Sequence, residues 1–175
     1  MDIQKLKEFS APYYKDKDIM HNLWHIELVE KWIDRILHLG NYTVDSEAIT
    51  YALYFHGFIY SDEEKIKQWL TENHVRNIDK ILKISWESQR PEVPETLEGK
   101  ILHDAHVLEG GKTYLVVKTL ITGSVRGQTL TETVRYLKEH VIDHNHCYLP
   151  ETIGLCDKMN EYAKQFVDEL EKGIL

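Results

Sequence analysis

Residues 18–39 read DIMHNLWHIELVEKWIDRILHL, from Asp18 to Leu39, and this stretch decides the fold class. Its apolar residues Leu23, Ile26, Val29, Ile33, Ile36 and Leu37 recur at spacings of three and four. An α-helix turns once per 3.6 residues, so this spacing lays one apolar stripe along one face, against a core. Gly40 follows and offers a left-handed stop.

The same period continues outward. A second helix is expected from Asp45 or Ser46 through Ala48, Ile49, Ala52, Leu53 and Phe55, apolar on most of its surface and therefore central. Ser61 with Glu64 reads as a capping box for a third, through Ile66, Trp69 and Leu70. A fourth runs from about Val75 to Ile84. The segment Gln89-Arg90-Pro91-Glu92-Val93-Pro94 breaks helix, because proline lacks the backbone donor and restricts the residue before it. Helix resumes near Glu95 and reaches Leu108, before Gly110-Gly111. The short apolar piece Tyr114–Leu120 fits helix, although Leu115-Val116-Val117 also fits strand. Thr129 and Glu132 form a second capping box, opening a helix towards His140. Pro150 suits the first turn of a last helix carrying Ile153, Cys156, Met159, Ala163, Phe166, Val167 and Leu170. No segment alternates cleanly, and no repeat or long linker divides the chain. The expectation is a single all-α domain over residues 1–175, built of about eight helices.

The chain has 175 residues and a formal net charge of −8. That length buries a core without disulfides, and two cysteines, Cys147 and Cys156, make no disulfide framework. The acidic balance argues against a nucleic-acid surface but not against a nucleotide, because a metal supplies positive charge locally. The start of the chain has no signal-peptide pattern, and no apolar run approaches the roughly 20 residues that span a bilayer. A cytoplasmic protein with no membrane partner is expected.

Ten histidines are present. His21 and His25 sit four apart on one helix face, and His25 borders the apolar stripe. A buried imidazole needs a partner, either a backbone carbonyl, the commoner case, or a metal. His56 ends the most apolar helix, just before Gly57, at a place suited to a cavity edge or to a helix cap. Asp104 adjoins the stripe Ile101, Ala105 and Leu108, and needs an ion pair or a metal. Two histidines and an aspartate from three helices would leave positions open for water, as a hydrolytic centre requires. Asp143-His144-Asn145-His146-Cys147 is rich in ligand types but reads as a solvated turn.

These positions resemble the HD superfamily of metal-dependent phosphohydrolases. A subgroup opens with Asp-x-x-His-x-x-x-His, matched by Asp18, His21 and His25. Tyr51-Ala52-Leu53-Tyr54-Phe55-His56 is similar to the run before the family's His-Asp pair. Thr96 to Glu109, containing Asp104-Ala105-His106-Val107-Leu108-Glu109, is similar to a stretch ending Asp-Ala-Asp-Arg-Leu-Asp. The helix around Lys158-Met159-Asn160 and Phe166–Leu170 is similar to the family's closing helix. The resemblance thus spans about Tyr13 to Leu170.

It implies an HD-like helical bundle. It also implies metal ligands at His25, His56 and Asp104, with His21 a weaker candidate, and a divalent ion among manganese, zinc, iron, nickel and magnesium. The family's fourth ligand, the aspartate of the pair, is Gly57 here. His106 and Val107 replace the second aspartate and the arginine, and Trp86 lies near a histidine of some members. Three readings follow: a phosphohydrolase acting on a nucleotide or other small phosphate ester, with Asp62 or Glu63 assisting; a member that binds such a ligand without cleaving it; or a helical interaction module, with self-association possible in its class. If the missing carboxylate limits the site, Gly57→Asp is expected to raise metal affinity.

Overall fold

Capping side chains set most of the helix starts. The computed structural model describes residues 1–89 and 92–174. Asp2 accepts from Lys5 N at the head of α1 (Ile3–Lys15), and Asn22 accepts from Trp24 N at the head of α2 (Leu23–Gly40). Asp45 accepts from Ala48 N before α3 (Ser46–Phe55). After α4 (Ile59–Glu72) and α5 (Ile78–Glu87), Thr96 accepts from Gly99 N before α6 (Leu97–Leu108). α7 (Tyr114–Val125) precedes α8 (Leu130–His140), where Thr129 and Glu132 close the expected capping box in both directions. α9 (Pro150–Ile174) begins at the expected proline. Each such cap satisfies a donor that the first helical turn leaves free.

The all-α expectation is borne out, with nine helices and no strand among the described residues. The differences are local. α1 has no counterpart in the sequence reading, because Pro12 inside it breaks the usual pattern. The stop after α2 is Asn41, left-handed at φ 49°, rather than Gly40. α4 starts at Ile59, and Ser61 does not cap it: its hydroxyl donates to Phe58 O and to Asp62 Oδ2. The helix is kinked at Asp62. Leu115-Val116-Val117 is helical. Arg90 and Pro91, read as part of the helix break, lie outside the described residues.

Three apolar clusters hold the helices. The largest joins α3, which buries Ala48, Ile49, Tyr51, Ala52, Leu53, Tyr54 and Phe55, to the α2 stripe of Ile26, Val29, Ile33 and Ile36 and to Ile101, Leu102 and Ala105 of α6. A second joins Val116 of α7, Val134 and Leu137 of α8, and Ala163 and Val167 of α9. Leu108, Cys156 and Met159 bridge them, packed on Trp32 and Leu115. Burying one such aliphatic side chain stabilises by about 1.5–3 kcal/mol.

α9 is tied to α6 by a carboxylate. Asp104 is fully buried, and its oxygens accept from Tyr148 N at 2.9 and 3.0 Å, Leu149 N at 2.9 Å and Thr152 Oγ1 at 2.6 Å. These donors belong to the entry and first turn of α9, where the helix dipole favours a negative charge. Asp104→Ala is expected to destabilise the protein by about 2–3 kcal/mol, because it leaves several buried donors unpaired. Calorimetry should then show a melting temperature lower by about 5–10 °C. An unchanged midpoint would show that the cap contributes nothing.

Candidate metal centre

The centre forms where three helix segments meet. Asn22 fixes the start of α2, which sets His25 in the first turn. His56 is the C-terminal cap of α3, its backbone N–H donating to Ala52 O at 2.9 Å. His106 lies in the last turn of α6. The ligating nitrogens of His25, His56 and His106 all fall within 4.8 Å of one another. His25 and His56 are 2% and 4% exposed, and His106 is half-buried.

Each of the two inner rings is held by its other nitrogen. His25 Nδ1 meets the Glu109 carboxylate, and His56 Nδ1 meets Leu53 O. A carboxylate and a carbonyl only accept, so Nδ1 carries the proton on both rings. The two Nε2 atoms then face each other as lone pairs, 2.9 Å apart. Burial, the largest influence on each, pushes His25 down to about 2 and His56 down to about 3, so both rings are neutral at physiological pH. Two facing acceptors repel unless a cation lies between them. Imidazoles locked through Nδ1 with Nε2 turned inward are the usual preparation for a metal. The donor set therefore fits a divalent ion, held by His25, His56 and His106.

Glu109 completes the support. Its buried carboxylate accepts from Lys118 of α7 as well as from His25. Burial raises its pKa above the ordinary carboxylate value, and the Lys118 ammonium opposes that.

His25 and His56 stand where the resemblance puts ligands, but the third position differs. Asp104 is spent on the α9 cap, and His106 takes its place in the centre. One helical residue turns about 100°, so residues two apart face nearly opposite ways. His106 and Glu109, three apart, share the inner face. His21 lies beside His25, with ring centroids 6.3 Å apart, but its Nδ1 is bound to the Asp18 carboxylate at 2.9 Å, outside the three-histidine group. Asp62 and Glu63 are engaged elsewhere: Asp62 with Ser61 and Lys65, Glu63 with Trp86 Nε1 at 2.7 Å. Neither lines the cavity beside the histidines.

Gly57 is packed rather than vacant. Its N–H donates to Tyr14 Oη at 3.2 Å, while that hydroxyl donates to Tyr54 O at 2.9 Å. A Cβ on Gly57 would sit 2.6 Å from Tyr14 Oη and 2.7 Å from a ring carbon, and Tyr14 is buried and cannot easily move. Lys17 Nζ donates to Gly57 O at 2.6 Å. This wall carries a cation where the resemblance would place an anion.

A cavity of about 290 Å³ opens beside His106. Tyr114, Lys118, Thr122 and Arg126, spaced by four along α7, line one side. His21, His103, His106 and Glu109 line another, with Val107, Leu115 and Val141 as apolar wall and Asn145 also on the boundary. An acidic chain thus carries a pocket with two cations. The α7 spacing was legible as a polar stripe inside an apolar segment, and the sequence reading passed over it.

No family model matches the chain, and no curated protein matches it. Among solved structures, Bacillus subtilis YpgQ, whose crystal structure is a complex with ADP, is similar with a TM-score of 0.75 at 16% identity. The similarity covers 98% of this chain and 97% of that one. At this identity the likeness establishes the fold alone. No helix among the described residues is long and apolar enough to cross a membrane.

The packing around Gly57 reverses the expectation for a restored carboxylate. Gly57→Asp is expected to lower stability by about 1–3 kcal/mol through overpacking against Tyr14. Metal affinity should not rise. A titration with zinc or manganese that showed tighter binding in the variant would overturn this account.

Proposed function

We propose that the chain is an HD-type, metal-dependent phosphohydrolase-like protein acting on a nucleotide or another small phosphate ester. One observation carries the reading. The three imidazoles form one group, and one of them, His106, lines a cavity that also bears Lys118 and Arg126. When bound, a divalent ion supplies Lewis acidity and a water of lowered pKa.

The chain's own residues divide the remaining work. Arg126 offers a planar fork that suits two phosphate oxygens, and Lys118 offers a point charge. Lys118 also holds Glu109, which holds His25, so the anion site and the metal site share one connected support. The structure of YpgQ with ADP supports a nucleotide as the ligand class. Three imidazoles favour zinc, iron or nickel over magnesium, because Asp104, the one carboxylate in the expected ligand set, is engaged by α9.

A second reading is binding without hydrolysis. Its specific support is that the three-residue group contains no carboxylate, and that Gly57 is fixed against Tyr14.

Metal analysis of tag-free protein by inductively coupled plasma mass spectrometry, with release of phosphate from nucleoside di- and triphosphates, tests both. The expected result is about one equivalent of transition metal, lost in His106→Ala. Glu109→Gln should weaken metal binding about 10- to 100-fold. Turnover lost in His106→Ala supports hydrolysis. Bound metal and nucleotide without turnover supports the second reading. No metal in any form, even after incubation with zinc, iron, nickel and manganese, would remove the hydrolase.

A further inference from the structure

Buried polar atoms without partners are rare in folded proteins, and each needs an explanation. Among the described residues, five side chains hold such atoms: Ser10, Tyr114, Thr122, Asn145 and Glu151. Three of them, Tyr114, Thr122 and Asn145, line the cavity beside the histidines.

Asn145 is the extreme case. It is 2% exposed, and both Oδ1 and Nδ2 lack a partner. Its neighbours Asp143, His144 and His146 are exposed, as a solvated turn would have them, so the burial of Asn145 is selective. The backbone at this point is anchored on α9: Asn145 O accepts from Cys156 Sγ at 3.2 Å and from Asn160 Nδ2 at 3.4 Å. Asn145 is therefore held at the cavity boundary by its main chain, while both polar atoms of its side chain are left without a partner.

The chemistry of an amide narrows the ligand. A carboxamide presents an acceptor and donors side by side. A phosphate accepts only, so it would satisfy Nδ2 and leave Oδ1 facing an anion. A group with a donor next to an acceptor satisfies both at once, as the edges of the nucleobases do. Lys118 and Arg126 already provide for an anion in the same cavity, and Val107, Leu115 and Val141 provide apolar wall for the faces of a ring.

We propose that Asn145 is the base-recognising residue of this cavity, pairing through both atoms of its amide with the hydrogen-bonding edge of a nucleobase while the cations of α7 take the phosphates. The inference rests on the nucleotide reading above and assigns a residue to the part of the ligand remote from the chemistry.

Titration calorimetry of the intact protein with ADP, GDP, CDP, UDP and inorganic pyrophosphate tests it, with Asn145→Asp and Asn145→Leu as variants. Asn145→Asp keeps the size of the side chain and removes its donors, and circular dichroism checks that each variant is folded. The expected result is that at least one nucleoside diphosphate binds about 10- to 100-fold more tightly than pyrophosphate, and that both variants lose this advantage. Affinity for pyrophosphate should stay within about twofold in Asn145→Leu, since Asn145 makes no contact with it and the substitution adds no charge. An advantage that survives in both variants would overturn the role of Asn145 and leave the nucleotide reading standing, with an ordered water as the partner of the amide. An equal loss for pyrophosphate in Asn145→Leu would overturn it as well, by making Asn145 merely structural. Failure of every diphosphate, pyrophosphate included, to bind the native protein would overturn both readings together.

Discussion

The arrangement of α6 governs the rest of the molecule, because both of its sides are used. On one side Asp104 is driven fully into the interior, where the donors at the head of α9 and the neighbouring His103 Nδ1 stabilise it. On the other, His106 and Glu109 complete the histidine centre. A carboxylate buried without partners is prohibitively unfavourable, so Asp104 fixes the rotation of α6 about its own axis as firmly as it fixes α9. That rotation presents His106 to His25 and His56. The entry to α9, fixed by the same carboxylate, carries Asn145 to the cavity wall. Histidine cluster, cavity and closing helix thus depend on one ion–dipole contact.

This double use explains what the sequence could and could not convey. Helical periodicity was legible throughout α2, α3 and α9, since each has one clear apolar face or is apolar nearly all round. The Thr129 and Glu132 box was legible because capping is local chemistry. His25 and His56 were legible as candidate ligands through spacing and resemblance, and the structure brings them together with His106. The choice between Asp104 and His106 was not. In Asp-Ala-His the two polar residues flank a buried alanine, and the residues around them are buried on several sides. When a helix is enclosed on both sides, periodicity no longer says which polar residue faces which partner. The departure at His106, taken alone, looked like the loss of a motif position. The partnership of Glu109 with Lys118 was hidden for a different reason. It crosses the Gly110-Gly111 break, whose two positive-φ glycines set a turn that no local pattern specifies.

The wall around Gly57 shows that a missing carboxylate is not simply a gap. Tyr14 occupies the space that a side chain would need, and its hydroxyl both donates to Tyr54 O and accepts from Gly57 N. Lys17 then bonds the Gly57 carbonyl and lies 4.8 Å from the Tyr14 ring centroid. These contacts are mutually supporting, so a single substitution cannot reinstate an acidic ligand. Tyr14 belongs to α1, the helix with no counterpart in the sequence reading, which is why Gly57 alone looked like a defect that one change would repair.

The charge consequence follows from the ligand types. With Asp104 committed to α9 and glycine in the pair, the three converging ligands are neutral imidazoles, and the nearest carboxylate, Glu109, is already shared between Lys118 and His25. A dication held by neutral ligands keeps most of its charge for whatever approaches from the open side, whereas carboxylate ligands would cancel part of it. The cavity on that side adds Lys118 and Arg126, in a chain whose net charge is −8. With a dication bound, positive potential would be concentrated in one place on an otherwise acidic protein. Such focusing selects for anions over neutral ligands before any specific contact is made. On the proposed function, discrimination among anions would then come from the neutral polar groups of the cavity lining, Tyr114, Thr122 and Asn145, whose hydrogen bonds the fold leaves unmade.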